Sequence, residues 1–167
     1  LWLPNGTVIV NQLLAWMREK LEKRAYQEIR TPHIMIDDLW KTSGHYDHYK
    51  DNMYFTEIED RSFAVKPMNC PGAALAYKQG LRSYREHPVR LGEFGLCHRF
   101  ERSGTLHGLT RVRSFVQDDA HIFCTPAQLQ SEILALIDLV NEVYEEIGFG
   151  APKMVLSTRP EDRTGSD

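Results

Sequence analysis

The chain has 167 residues, which is enough for one domain with a sizeable hydrophobic core. Its composition, 42% hydrophobic and 26% charged, is typical of a globular protein, and no apolar run is long enough to span a bilayer. The formal net charge of -3 gives no overall attraction to nucleic acid, so any contact with RNA would have to be local. We therefore expect no membrane partner.

The cysteines indicate a reducing compartment. Cys70, Cys97 and Cys124 are odd in number and widely spaced, which argues against a disulfide framework. We expect a cytoplasmic protein in which these residues are free thiols.

The first part of the chain predicts a helix followed by a strand. Apolar residues recur at helical spacing over residues 7–25, with charged residues on the opposite face. Residues 26–32 are typical of a strand that meets Pro32. Since proline lacks the N–H donor, Pro32 belongs at a strand end, an edge or an interface. A short helix over 37–42 follows.

The middle of the chain predicts a hairpin and a second helix. Residues 52–56 and 62–66 form two strands separated by a polar turn. The run Lys-Pro-Met-Asn-Cys-Pro-Gly at 66–72 interrupts the pattern. Pro71 then suits the first turn of a helix.

Two long strands, 89–101 and 111–123, are predicted to form a central hairpin. A capping-box pattern at 125–128 starts a helix that Gly148 ends, and a further strand is predicted at 153–157. Because neighbouring strands are joined mostly by short turns, we expect an α+β fold with a mainly antiparallel sheet flanked by helices.

The central hairpin carries the clearest functional pattern. Arg99, Arg111 and Arg113 lie on both sides of a polar, glycine-containing loop, and guanidinium groups bind phosphates and carboxylates in a bidentate way. Phe115 offers a face for stacking a base. A polar cluster follows on the same strand: Gln117, Asp118, Asp119 and His121. Such a hairpin can hold a nucleoside triphosphate and an amino acid side by side.

These residues resemble the signatures of the class II aminoacyl-tRNA synthetases. The helix and strand that end at Pro32 resemble the first signature, and Arg99, Glu101, Arg111 and Phe115 resemble the second. The runs at 66–72, 103–109 and 117–123 resemble the threonyl-tRNA synthetase family. The third signature of the class is absent from these residues. We therefore expect residues 1–167 to be the N-terminal part of a class II catalytic domain, and the isolated segment to be inactive.

The resemblance implies an ATP site. Arg99 would lie between the substrate carboxylate and the α-phosphate and act in catalysis, while Arg111 would reach the terminal phosphate. Phe115 would stack on adenine, and Glu101 would accept a hydrogen bond from its amino group. Mg²⁺ would accompany the phosphates. Arg113 suits either binding or structural support.

The resemblance also implies a zinc site. From the residues alone, Cys70 is a buried small hydrophobe and His121 a strand histidine, fifty-one positions apart. In the threonyl enzymes the corresponding residues hold Zn²⁺ together with a histidine that would lie beyond Asp167. The metal there binds the amino and hydroxyl groups of threonine, which valine cannot match. Ala73 departs from the family pattern, which has a histidine at that position.

Further residues are implied to contact the substrates. Asp119 would bind the threonine ammonium, Gln117 its carboxylate, and Met68 would line the pocket, although a core position suits Met68 nearly as well. His45 would lie near the terminal adenosine of the tRNA and help deprotonate the attacking hydroxyl. An exposed loop position suits His45 equally, and His107 could contact the tRNA acceptor end or only solvent.

Three functions remain open from the sequence. The first is part of an enzyme that activates threonine with ATP and transfers it to tRNA(Thr), with ATP, threonine and the tRNA acceptor end as partners. The second is another class II synthetase of the prolyl or seryl type, and the third is a non-catalytic, synthetase-like binding module.

The resemblance also implies a homodimer through the first helix and the Pro32 strand.

Overall fold

The computed structural model describes residues 2–44, 46 and 49–158. These residues fall into two compact units, one ending at Thr125 and one beginning at Pro126. None of the described helices has the length and apolar character needed to cross a membrane. In chain order the elements are α1 (Pro4–Glu22), β1 (Gln27–Glu28), β2 (Ile34–Ile36), α2 (Asp38–Thr42), β3 (Tyr54–Ile58), β4 (Arg61–Val65), α3 (Cys70–Tyr77), β5 (Val89–His98), β6 (Ser114–Phe123) and α4 (Leu129–Glu146).

The predicted α+β class is confirmed, with two three-stranded sheets in the first unit. Helix α1 begins and ends three residues earlier than predicted. It begins early because proline is well suited to the first helical turn. It ends early because Ala25 adopts a left-handed conformation (φ 59°), while the Tyr26 N–H donates to the Leu21 carbonyl.

The smaller sheet has the order β2-β4-β3 and is antiparallel throughout. Its predicted hairpin is confirmed, shifted by one or two residues. Glu59 and Asp60 form the turn with φ values of 52° and 58°, the backbone of a two-residue type I′ turn. The core under this sheet contains Trp40, Met53 and Ala64.

The larger sheet has the order β1-β5-β6 and carries the central hairpin. Strands β5 and β6 pair antiparallel over their full length, as predicted, whereas the two residues of β1 pair parallel to β5. Both hairpin strands are shorter than predicted, because residues 99–113 form a structured loop. That loop contains a 3₁₀ turn at Ser103–Thr105 and a bridge between His107 and Arg111.

The second unit contains α4. Its α-helix starts at Leu129, since Pro126–Gln128 form a 3₁₀ turn, and the side chain of its N-cap residue, Gln128, makes no capping hydrogen bond. Gly148 ends the helix as predicted, with a left-handed φ of 79° that glycine adopts without steric cost. The strand predicted at 153–157 is wrong: residues 152–158 have no regular secondary structure.

A buried ion pair joins three separate segments of the first unit. The Lys66 ammonium donates to Glu93 Oε1 at 2.8 Å and to the Thr31 hydroxyl at 2.9 Å. The Lys66 side chain is fully buried and that of Glu93 is 6% exposed. The Thr31 N–H also donates to Glu93, at 2.8 Å. The pair thus connects the residue before Pro32, the segment after β4 and the centre of β5.

We expect the variant Lys66→Met to lose about 3–5 kcal/mol of folding free energy, because it leaves the Glu93 carboxylate buried without its cation. The matched control is Lys23→Met. It removes an exposed ion pair with Glu19 of similar length, 2.7 Å, and should leave the free energy of unfolding nearly unchanged, because solvent screens such a pair. Urea unfolding followed by circular dichroism measures both. Adding Glu93→Gln to Lys66→Met should recover stability, and equal losses in the two single variants would contradict this account.

Candidate functional site

The predicted site residues of β6 lie on one face of the hairpin. Along this strand, side chains at odd positions are half-buried and most of those at even positions are exposed. The half-buried series runs in the order Phe115, Gln117, Asp119 and His121. At about 3.4 Å per residue, six positions from Phe115 to His121 span roughly 20 Å. This surface therefore carries, in order, an aromatic ring, an amide, a carboxylate and an imidazole. It is long enough to hold two joined substrates.

Arg99 stands at the aromatic end of this face. Its Nε donates to the Pro67 carbonyl at 3.0 Å. Its guanidinium carbon lies 5.2 Å from the Phe115 ring centroid and 5.9 Å from that of Tyr49. Among the described residues, its two terminal nitrogens have no hydrogen-bond partner. The side chain is thus held in place while its outer donors stay available to an anion.

Arg111 and Glu101 form an ion pair in the loop rather than on a strand. Arg111 donates to both carboxylate oxygens of Glu101, at 3.3 and 3.4 Å. The Arg111 side chain is 57% exposed, and an exposed pair of this kind contributes about 0–1 kcal/mol. Arg111 can therefore leave Glu101 for a phosphate at little cost.

The contacts of Arg113 favour structural support. Its guanidinium donates to the Glu101 carbonyl at 3.0 Å and to Ser103 Oγ at 3.3 Å, and it lies over the Phe100 ring. His107 is exposed in the same loop. The predicted catalytic histidine, His45, lies outside the described residues.

The fold brings together three possible metal ligands. Cys70 begins α3, whereas Asp119 and His121 belong to β6, and the ligand atoms of all three lie within 4.8 Å of one another. Thiolate, imidazole and carboxylate groups are the ligands that proteins offer to Zn²⁺, so this donor set fits the metal. Burial raises the pKa of the Cys70 thiol, and the negative charge of Asp119 raises it further. A bound cation would have to displace that proton.

Met68 contacts the hydrophobic core under the smaller sheet. Its side chain packs against the cluster of Trp40, Met53 and Ala64 and is half-buried. Its backbone follows Pro67, whose carbonyl holds Arg99. The structure thus shows the core contact that the sequence left as an alternative.

Sequence reasoning missed a buried polar network beneath the site. Asn69 is 1% exposed, and its Nδ2 donates to Asp119 Oδ2 at 3.1 Å. The thiol of Cys97 lies 3.5 Å from Asn69 Oδ1 and 3.6 Å from Gln117 Oε1, and can donate to either. Burial raises the pKa of Cys97 to about 11, so this thiol keeps its proton at neutral pH.

Gly95 makes room for this network. A Cβ atom at position 95 would overlap the amide of Asn69. The sequence contained no usable signal for it, because Asn69 comes just before a helix and would ordinarily be interpreted as its N-cap.

The chain is similar in sequence to known proteins. The model of the family described as tRNA synthetase class II core domain (G, H, P, S and T) matches residues 54–166. A threonine–tRNA ligase from Thermotoga maritima is 56% identical over 166 residues, which is 99% of this chain and 26% of that protein. One from Caldanaerobacter subterraneus is 58% identical over 164 residues, 98% of this chain and 25% of that protein. The chain thus spans about a quarter of the length of these relatives.

Solved structures show the same relationship. The RNA binding domain of threonyl-tRNA synthetase from Cryptosporidium parvum superposes with a TM-score of 0.86 at 48% identity, covering 89% of this chain and 37% of that one. Prolyl-tRNA synthetase from Giardia lamblia, solved with prolyl-adenylate, superposes with a TM-score of 0.78 at 18% identity, covering 87% of this chain and 31% of that one. The second similarity concerns the fold alone.

Proposed function

Since the chain belongs to the tRNA synthetase class II core domain family, we propose that it is the N-terminal part of the catalytic domain of a threonine–tRNA ligase. That enzyme would join threonine to ATP as threonyl-adenylate and then transfer the threonyl group to tRNA(Thr). The observation that carries the proposal is the placement of Arg99 and Phe115 at one end of a hairpin face and of Asp119 and His121 at the other. The high identity to threonine–tRNA ligases favours threonine over the prolyl and seryl alternatives.

The aromatic end of the face would bind ATP. Phe115 would stack on adenine, and Glu101 would accept a hydrogen bond from the adenine amino group. Arg111 would leave its ion pair with Glu101 and bind the terminal phosphate. Arg99 would stand between the threonine carboxylate and the α-phosphate. Its positive charge offsets the repulsion between these anions and the charge that develops as pyrophosphate leaves. Mg²⁺ would accompany the phosphates, as is usual in phosphoryl-type chemistry.

The opposite end would select the amino acid. Asp119 would bind the ammonium group, Gln117 the carboxylate, and the Met68 segment would line the pocket. Cys70 and His121 would hold Zn²⁺, with a third protein ligand beyond residue 167. When bound, the metal would supply coordination positions for the amino and hydroxyl groups of threonine, which valine cannot fill.

The transfer step would use the tRNA acceptor end. His45 would help deprotonate the attacking hydroxyl of the terminal adenosine, and the exposed loop around His107 would be within reach of the acceptor stem.

All three cysteines are free thiols, which supports a reducing compartment such as the cytoplasm.

Arg99→Ala in a full-length chain that carries this segment should lower threonine-dependent ATP–pyrophosphate exchange by about 10²–10³-fold, because it removes a preorganised positive charge at the reacting phosphate. The control is Arg61→Ala, an exposed arginine in the β3–β4 hairpin, which should leave exchange unchanged. Circular dichroism checks that both variants fold. Near-normal exchange in Arg99→Ala would exclude the proposed role of this residue.

Purified full-length protein should contain stoichiometric zinc. Cys70→Ser and His121→Asn should each lose most of it, because each removes a metal ligand. Cys124→Ser, which changes a half-buried cysteine outside the ligand group, is the control and should retain the metal. Elemental analysis after gel filtration measures the content. Full zinc content in Cys70→Ser would show that the metal site is wrong.

We also propose a homodimer through α1 and the Pro32 segment. Val8 and Ile9 on α1 are 61% and 62% exposed, and Pro32 is exposed as well. The double variant Val8→Glu, Ile9→Glu should shift the full-length protein from dimer to monomer in equilibrium sedimentation. Ile58→Glu, at the exposed end of β3 in the smaller sheet, should remain dimeric. A monomeric unaltered protein would contradict this proposal.

A further inference from the structure

We propose that Asn69 is a positioning residue that holds the Asp119 carboxylate in place for the amino group of the substrate. The inference deepens the proposed function and rests on it. The direct observation is the hydrogen bond from Asn69 Nδ2 to Asp119 Oδ2 at 3.1 Å. Asn69 itself lies beneath the face rather than on it, since it is 1% exposed, and acts on the substrate only through Asp119.

The first argument is that Asn69 does not cap the helix that it precedes, although asparagine commonly does so. Asparagine is among the preferred helix N-caps, because its side-chain oxygen accepts from the first free N–H groups of the helix. Asn69 occupies the N-cap position of α3, yet its side chain makes no capping hydrogen bond. Both polar ends of the amide are used elsewhere in the site. Where a residue departs from its local preference, the reason is often functional.

The second argument is that the surroundings determine which way the amide faces. The Cys97 thiol, which is protonated at neutral pH, lies 3.5 Å from Asn69 Oδ1 and can donate to it. With the oxygen facing Cys97, the nitrogen is directed to Asp119. A buried amide costs free energy unless both ends are hydrogen-bonded, so this arrangement satisfies Asn69 and fixes its orientation together.

The third argument is the glycine beneath the amide. Gly95 pairs with Gln117 across the hairpin, and any Cβ there would overlap Asn69. The space that Asn69 occupies thus exists only because position 95 has no side chain. This gives a way to displace Asn69 without altering any residue proposed to contact a substrate.

The position of this hydrogen bond defines its effect. Asn69 precedes Cys70 in the chain, and Asp119 lies two residues before His121 on β6. The bond therefore ties the segment that carries one proposed zinc ligand to the strand that carries the other. With one oxygen held by Asn69, the Asp119 carboxylate remains beside Cys70 and His121, where the substrate ammonium would lie. We expect Asn69 to set the affinity for threonine and to leave ATP binding unaffected.

The test uses a full-length chain that carries this segment, with the variants Asn69→Leu and Gly95→Ala. Leucine has nearly the shape of asparagine but no donor. Each variant should raise the KM for threonine by at least about tenfold, the effect of losing roughly 1.4 kcal/mol, while the KM for ATP stays within about twofold. Calorimetric titration with threonine alone should show the same loss of affinity. Zinc content should remain that of the unaltered protein.

Two further variants serve as controls. Gly80→Ala adds a methyl group where no atom lies within 4 Å and should leave both KM values unchanged. Cys97→Ser keeps a donor at the position of the thiol and should stay within about threefold of the unaltered KM for threonine, since the orientation of Asn69 is preserved.

The outcomes separate this inference from the proposed function. If the unaltered protein binds threonine but has no exchange activity, the proposed function fails, and the calorimetric titrations still test Asn69. Equal rises of both KM values, or loss of zinc in Asn69→Leu, would overturn the inference, because Asn69 would then support the fold or the metal. Unchanged threonine affinity in folded Asn69→Leu would overturn it as well.

Discussion

The buried ion pair between Lys66 and Glu93 is the contact on which the placement of the site depends. Lys66 directly follows β4 of the smaller sheet, Glu93 lies at the centre of β5 in the larger one, and Thr31 joins them from the segment before Pro32. Glu93 pairs with Asp119 in the hairpin register, and Lys66 immediately precedes the Pro67–Cys70 segment. Two charges taken out of water are tolerated only when their geometry and hydrogen bonds are good. The same requirement fixes the segment that carries Cys70 against the strand that carries His121.

The hairpin above this pair works as a linear scaffold. Because alternate side chains of a strand share a face, the groups from Phe115 to His121 keep a constant spacing that a loop could not maintain. Arg99 is held from both sides, by the Pro67 carbonyl and by the Phe115 ring. The Pro67–Cys70 segment therefore contributes to both ends of the face, since it fixes Arg99 at one end and supplies Cys70 at the other. The proposed joining of two substrates requires this kind of common support.

The buried groups below the hairpin face orient other side chains and are not themselves proposed to bind a substrate. Asn69, Cys97 and Gly95 are buried, and none carries a charge. Their hydrogen bonds and shapes nevertheless constrain Asp119 and Gln117, the two groups proposed to meet the amino acid. A neutral amide leaves the negative charge of a carboxylate uncompensated, so the carboxylate can attract an incoming cation. A neighbouring ammonium group already balances that charge. Glu93, which is paired with Lys66, and Asp119, which is bonded to Asn69, illustrate the two cases on adjacent strands.

The sequence by itself determined the class of the fold and the central hairpin, and it predicted the residue types at the two ends of the candidate site. These features follow from local signals: period-two alternation, glycine and proline at turns, and the pattern of arginines and aromatics. Such signals can be interpreted without knowledge of distant contacts. The ends of α1 and of the hairpin strands were misjudged, because Ala25 and the 99–113 loop adopt conformations that depend on hydrogen bonds made by the backbone. The strand expected at 153–157 was wrong for a related reason: a β-prone run forms a strand only where a partner strand accepts it.

Only the tertiary structure decided which residues meet. The juxtaposition of Cys70 with Asp119 and His121, the burial of Lys66 against Glu93, and the turn of Asn69 away from its helix all join segments from 27 to 51 positions apart. No periodicity in the sequence encodes such pairs, because each partner alone has an ordinary local role as a helix cap, a strand carboxylate or a small core residue. The physical reason is that a buried polar group is stable only next to a complementary one, and that complement is brought there by the packing of the chain.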